Sequence, residues 1–389
     1  MMPMVRPCPV CGGMEATPIH VNEMAPLDGL DMSYRVARCR RCGFSFADRL
    51  PPISQYDDYY RWLSKYDSAN NSSGMSGTDE IRCAAAVGML RGALPTDAAI
   101  ADLGCGSGVL LAALRDAGWS RLAGIDPAPA APREALARFG IDCVRSGRLE
   151  QAPSLLPLDG FDAVCLTGVL EHLPDLRRNL EALIASLSDR ARILVEVPAL
   201  ERFASRPGEP FGEFSLEHIQ YFSTSSLIRF FATLGFSPLA TLIVELPRGS
   251  CDSLFGLFAR TSRPEPSPAD ADLADGLLED YVARCAHGMA DCLAKISDCD
   301  ADSFVIYGAG SHTARLLPRL TDAVRKRIAC IVDRNPNLHG KRLGGFAIET
   351  QEALAGHASA TVVVSTFGGQ EAIVGMLRTT RPNPVLALY

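Results

Sequence analysis

No uninterrupted apolar run in the 389-residue chain reaches the ~18–20 residues that a membrane-crossing helix needs. The opening residues, Met1 to Cys8, hold no apolar signal core, so the expectation is a cytoplasmic protein with no membrane partner. Excess positive charge is missing too. Against 45 Asp and Glu stand 38 Lys and Arg, a net charge of −7, which argues against a broad nucleic-acid footprint. The aromatic-plus-Asn-Pro-Pro segment of base-flipping enzymes is absent, and the first glycine-rich turn lacks the G-x-G-x-x-G spacing that cradles an anionic pyrophosphate. What is left is an ordinary globular composition, in a chain long enough for two or three domains, with its oligomeric state unspecified.

The central feature present is Ile100-Ala101-Asp102-Leu103-Gly104-Cys105-Gly106-Ser107-Gly108, followed by Gly124-Ile125-Asp126-Pro127. This reads as a glycine-rich strand-to-helix turn one βα unit ahead of an acidic strand end. Glycines at positions 104, 106 and 108 let the backbone approach a ligand, and a carboxylate at position 126 can accept both hydroxyls of a ribose. Phe161–Thr167 reads as a buried strand running into Gly168-Val169-Leu170-Glu171-His172, Leu176–Ser188 as an amphipathic helix, and Arg192–Pro198 as a further strand. A helix over Glu80–Leu94 precedes the first of these strands.

Nine of the thirteen cysteines are scattered singly, as small buried hydrophobes usually are. The other four form two C-x-x-C knuckles, Cys8/Cys11 and Cys39/Cys42, each followed by glycine. A redox dithiol would explain one such pair. Two pairs point to a closed tetrahedral four-sulfur zinc site that folds the N-terminal module and does no chemistry.

A tyrosine-dense stretch, Tyr56–Tyr66, reads as a linker helix packed on the central domain or as a substrate contact, and a polar one, Ser68–Gly74, as a mobile connection or lid. Thr261–Pro268 is proline-rich and reads as an interdomain linker, and Ala269–Lys295 has apolar residues at helical spacing. Strands at 303–307, 328–333 and 361–366, a Gly308-Ala309-Gly310 turn, a helix over Ala314–Leu320 and a second acidic strand end at Asp333 then compose another Rossmann-like unit. The boundaries expected are 1–75, 76–260 and 261–389. His312 reads as an exposed turn residue able to meet a phosphate, and Arg325, Lys326 and Arg327 as a solvated helix end.

Asp102, the three glycines and Asp126 resemble motif I of class I S-adenosylmethionine-dependent methyltransferases, and Gly168–Asp175 resembles that family's fourth-strand signature. The implied fold is α/β, a class I methyltransferase Rossmann-like core, here with an N-terminal zinc module and a second Rossmann-like C-terminal domain. By the resemblance Asp102 and Gly104 line the methionine part of the cofactor, Asp126 holds its ribose, and Glu171 and His172 shape the pocket. The whole chain resembles the three-domain C-methyltransferases acting on nucleotide-linked deoxysugars. The most specific match is Glu217-His218-Ile219-Gln220-Tyr221-Phe222-Ser223, which implies His218 as the base with Glu217 and Tyr221 beside it. Gly308, Gly310, His312 and Asp333 would help bind the nucleotide-linked substrate. Two positions depart from the family pattern: Ser215 stands where a tyrosine is usual, and the C-terminal turn lacks the family lysine. The acceptor is therefore open among carbon, oxygen and nitrogen, with methylation of another small metabolite or of RNA as alternatives.

Overall fold

The computed structural model describes residues 6–50 apart from Met32, 75–262 apart from Leu216 and Arg248, and 276–389. The expectations for Tyr56–Tyr66, for Ser68–Gly74 and for most of the proline-rich linker lie outside these residues. Three sheets organise the described chain.

The first sheet is antiparallel and has four strands: β1 (Ala16–Asn22), β2 (Tyr34–Cys39), β3 (Ser45–Arg49) and β9 (Gln220–Tyr221), in that order. The last of these comes from far along the chain. Ser45 and Phe46 pair with Tyr221 and Gln220, so the cysteine-bearing module is completed by the very segment that carries His218.

The second sheet has seven strands. A helix α1 (Gly77–Arg91), capped by Ser76 and Asp79 exchanging side-chain and backbone bonds, leads into β4 (Ala99–Leu103). Then follow α2 (Val109–Asp116), β5 (Arg121–Asp126), α3 (Ala131–Phe139), β6 (Val144–Ser146), β7 (Ala163–Thr167), α4 (Leu176–Ala185) and β8 (Arg192–Pro198). After β9 come α5 (Thr224–Thr233), β10 (Phe236–Val244) and β11 (Ser253–Arg260). The order is β10-β11-β8-β7-β4-β5-β6, with β11 antiparallel to β8 and β10 antiparallel to β11. All five residues of β4 are buried, which is why it reads as a continuous apolar run broken only by Asp102. The chain leaves β4 toward β5 on one side and later returns to β7 on the other. The crevice at their carboxyl ends is where open α/β sheets bind ligands.

The third sheet has six strands, reached through a long helix α6 (Leu277–Ser297). Its buried residues, Leu278, Tyr281, Cys285, Met289, Cys292 and Ile296, recur at helical spacing and sit in one apolar cluster with Tyr34, Phe214, Tyr221 and Leu317. The strands are β12 (Phe304–Tyr307), β13 (Ile328–Val332), β14 (Arg342–Leu343), β15 (Phe346–Glu349), β16 (Thr361–Val364) and β17 (Val385–Ala387), with helices α7 (Ser311–Leu316) and α8 (Gln370–Thr380). Their order is β14-β15-β13-β12-β16-β17, parallel except for β14. The helix after the Gly-Ala-Gly turn begins at Ser311, three residues earlier than expected, because Gly310 already takes the extended N-cap conformation.

Arg325 and Arg327 correct the reading of a solvated helix end. Arg325 donates to the carbonyls of Leu317 (2.7 Å) and Gly344 (3.2 Å), and Arg327 to those of Cys299 and Ala301 at 3.1 and 2.9 Å. Both guanidinium groups also lie over phenylalanine rings, so they staple loops to the unit.

Candidate active site

The glycine turn between β4 and α2 is held by its own carboxylate. Gly106 N–H donates to Asp126 Oδ2 and Ala128 N–H to Oδ1, each at 2.8 Å, while Gly104 and Cys105 N–H both donate to the Ile125 carbonyl. Gly104 has φ +89°, and a Cβ there would lie 2.6 Å from Val169 Cγ2, so both backbone and space require glycine.

Asp102 is the anomaly in this turn. It is 1 % exposed, and neither carboxylate oxygen has a hydrogen-bond partner. Burial, reinforced by the nearby charge of Asp126, pushes its pKa up to about 7, against a smaller pull from Arg82. A buried carboxylate without a donor is costly unless a ligand supplies one. S-adenosylmethionine brings an ammonium group and a sulfonium, both positive, so the residues present fit it.

Across the crevice, the chain after β7 presents Glu171 and His172. Glu171 is 3 % exposed and its Oε2 has no partner; burial, together with Glu196, lifts its pKa to about 8. Arg82, on α1, is occupied with Glu196, which also accepts from the Ser253 hydroxyl. Arg82 has no sequence motif to mark it. Only its helix's packing against the sheet brings it here.

The segment carrying His218 is sewn onto this edge. Ile219 N–H donates to the Glu171 carbonyl at 2.9 Å, Gln220 Nε2 to the Leu173 carbonyl at 2.9 Å, and Arg6 reaches the carbonyls of Ala47, Pro174 and Ile219. His172 Nδ1 lies 2.9 Å from the Glu217 carbonyl, which accepts its proton when the neutral ring carries it there. Burial lowers the pKa of His172 and keeps the ring neutral. The His218 ring sits edge-on, 5.0 Å from that of His172, with its backbone N–H bonded to Ser215 Oγ. Of the three residues expected to act together, His218 and Glu217 reach the crevice edge, Glu217 through its backbone. Tyr221 is 1 % exposed among Phe203, Phe214 and Tyr34, its hydroxyl 3.3 Å from that of Tyr34.

The four knuckle cysteines converge. Cys8 and Cys42 Sγ are 3.6 Å apart, Cys11 and Cys39 Sγ 3.5 Å, and all four sulfurs lie within 4.8 Å of one another. A tetrahedral zinc with bonds of about 2.3 Å needs sulfurs about 3.8 Å apart. The two turns are copies: Gly12 N–H donates to the Cys8 carbonyl and Gly43 N–H to that of Cys39, with both glycines at positive φ. This donor set fits the structural zinc expected from the spacing.

In the third sheet Gly308 and Gly310 form the turn and Asp333 holds it, Oδ2 accepting from Ala309 N–H and Oδ1 from Asn335 N–H, each at 2.7 Å. His312 corrects its expectation. It is 1 % exposed, with Nδ1 2.9 Å from Ser365 Oγ and Nε2 2.6 Å from the Tyr389 hydroxyl, and burial lowers its pKa to about 3. A neutral, doubly bonded imidazole braces the turn and offers no exposed charge to a phosphate. The residue that sequence reading missed is Arg315, fully buried, which donates to Asn22 Oδ1 (2.9 Å), to the Phe214 carbonyl and to Glu209. It ties the C-terminal turn helix to the first sheet and to the chain leading to His218.

Residues 79–241 match the family model described as a methyltransferase domain. No curated protein matches the chain. Among solved structures the chain is similar to the 1,6-didemethyltoxoflavin N1-methyltransferase of Burkholderia thailandensis, determined with 1,6-didemethyltoxoflavin and S-adenosylhomocysteine bound (20 % identity, 61 % of this chain and 100 % of that one, TM-score 0.43). It is also similar to a magnesium protoporphyrin IX methyltransferase from Synechocystis PCC 6803 (21 % identity, 55 % and 99 %, TM-score 0.39). The matched span contains the glycine turn, Asp102, Asp126, Glu171, His172 and His218. Residues 79–241 of the chain therefore match a methyltransferase domain, and they contain the α/β core described above.

Proposed function

We propose that this methyltransferase takes its methyl group from S-adenosylmethionine and places it on a small molecule, a carbon beside the ketone of a nucleotide-linked deoxysugar. The observation that carries the donor is the buried, donor-less carboxylate of Asp102 on a turn of three left-handed glycines. Asp102 would accept from the methionine ammonium, Gly104, Gly106 and Gly108 would let the cofactor lie against backbone, and Asp126 would take the ribose hydroxyls with its remaining lone pairs. Glu171 would close the pocket from the β7 side. When bound, S-adenosylmethionine supplies a methyl carbon activated by a sulfonium.

Methyl transfer to carbon needs an electron-rich acceptor in line with that methyl. His218, on a segment pinned to the crevice edge by Ile219 and Gln220, is the proton acceptor in this reading. His172, its Nδ1 fixed by the Glu217 carbonyl, keeps the ring facing His218 in one orientation. The C-terminal unit supports a nucleotide-linked acceptor because its turn repeats the carboxylate-on-glycine construction at Asp333, and Arg315 couples it to the His218 segment. The zinc set, Cys8, Cys11, Cys39 and Cys42, has a structural part, since β9 of the catalytic segment pairs with β3 of the cysteine module.

The test is a thermal-shift and calorimetric screen of zinc-loaded protein with S-adenosylmethionine, then with nucleoside diphosphates and nucleotide-sugars, on wild type and D333A. Stabilisation by a nucleotide that D333A removes is the expected result. Cofactor binding with no nucleotide response in wild type would sink the nucleotide-linked acceptor and leave a free metabolite or RNA.

A further inference from the structure

A second metal-competent cluster lies away from the four cysteines: Glu171, His172 and His218 each offer one ligand atom, all within 4.8 Å of one another. Three features set it apart from a chance meeting of polar side chains. Glu171 is 3 % exposed and its Oε2 has no partner, so a buried carboxylate oxygen on this cluster is left waiting for a donor or a cation. His172 Nε2 is 3.7 Å from Glu171 Oε1. With Nδ1–H given to the Glu217 carbonyl, its Nε2 lone pair is directed to that side, the outer-shell arrangement that orients metal-ligating histidines. His218 arrives on a segment fixed by the Ile219-to-Glu171 backbone bond, so all three donors are positioned by two rigid stretches.

We infer that Glu171, His172 and His218 form a site for a divalent transition-metal cation, of the class that accepts imidazole and carboxylate together, at the edge of the methyl-transfer crevice. Bonds of about 2.0–2.2 Å put tetrahedral donor atoms about 3.3–3.6 Å apart. The Glu171–His172 pair, 3.7 Å apart, is already close to this, and the His218 donor lies within 4.8 Å of both. Two imidazoles and one carboxylate leave coordination positions open, unlike the closed four-sulfur set. Occupancy has a consequence that rests on the proposed function: a His218 lone pair engaged by a cation cannot accept a proton from the methyl acceptor, so the cation slows methyl transfer.

The probe is Co2+ added to zinc-loaded protein, read by visible absorption and by metal analysis after gel filtration. One zinc per chain plus one cobalt, with weak ligand-field bands and no thiolate-to-cobalt charge transfer, is expected for wild type. H172A and E171Q are expected to weaken cobalt binding at least tenfold while keeping one zinc per chain, the retained zinc showing that the N-terminal module is folded. No second equivalent in wild type, or one that both variants keep, overturns the site. Cobalt binding that raises turnover would uphold the site and remove His218 from its role as proton acceptor, so the two readings fail separately.

Discussion

The chain builds the same turn twice and equips it differently. β4 and β12 each run into a glycine turn, and in each case the aspartate at the carboxyl end of the next strand, Asp126 as the last residue of β5 and Asp333 directly after β13, folds back. Its Oδ2 accepts from a turn N–H and its Oδ1 from the residue two positions on, Ala128 for Asp126 and Asn335 for Asp333. The difference lies two residues before the first glycine. The central turn has Asp102 there, buried and without a donor; the C-terminal turn has Ile306, part of an apolar cluster. Turn length differs as well. Five residues, Gly104 to Gly108, precede α2, whereas Gly308 to Gly310 suffice before α7. The shared part is therefore a structural device that positions backbone amides, and in the proposed function the ligand's charge follows from what surrounds it: a buried acid for a cation, none for a neutral or anionic group.

The sharpest way to break this comparison is to exchange the acid's charge. D102N is expected to weaken S-adenosylmethionine binding about 100-fold, equivalent to about 2.7 kcal/mol by isothermal titration calorimetry. D333N should leave that affinity within about twofold, since one changed hydrogen bond to a charged group is worth about 1.5–3 kcal/mol only where it is made. Equal losses in both variants would mean that the two turns are not independent.

A second, smaller effect concerns glycine itself. A Cβ at Gly104 would lie 2.6 Å from the Val169 side chain at φ +89°, and one at Gly308 would lie 3.2 Å from the Ser365 carbonyl oxygen at φ +106°. Each Gly→Ala variant should lose about 1–3 kcal/mol of stability from backbone strain, read as a lower Tm. Only G104A should also lose cofactor affinity. If G308A does so too, the coupling through Arg315 extends to the cofactor.

Much of the central unit was legible because its chemistry is local. Strand, glycine turn and acidic strand end lie within 27 residues of sequence, from Ile100 to Asp126, and Arg192–Pro198 was bounded correctly from its apolar run alone. The paired knuckles were equally legible, since each turn fixes its own two thiols and the spacing repeats. The unreadable parts are long-range. Nothing local marks β9 as a strand of the cysteine module, because two residues acquire that identity only by pairing with Ser45 and Phe46. Arg82 and Arg315 look like ordinary helical arginines until tertiary packing pairs the first with Glu196 and buries the second. His312 differs from its expectation for the same reason: a turn position predicts exposure, and the chain near Ser365 and Tyr389 covers it.

That burial gives the two turns opposite responses to pH, and the last prediction uses them. Asp102 has its folded pKa raised from 3.8 to about 7 by burial and by Asp126, with Arg82 opposing, so between those values the folded state binds more protons than the unfolded one. Stability of the central unit in the absence of cofactor should fall as pH rises through this window. His312, facing Arg315, Ser365 and Tyr389, has its folded pKa lowered from 6.5 to about 3, so the unfolded state binds more protons and stability falls as pH drops below 6.5. Hydrogen exchange read by mass spectrometry should therefore show residues 99–126 better protected at pH 5.5 than at pH 7.5, and residues 304–332 less protected, once intrinsic exchange rates are divided out. Saturating S-adenosylmethionine should erase the first trend, because it pairs the ionised carboxylate, and leave the second. The D102N and H312Q variants should each flatten one trend, and a common slope in both regions of wild type would mean that global unfolding, and not these two buried groups, sets the response.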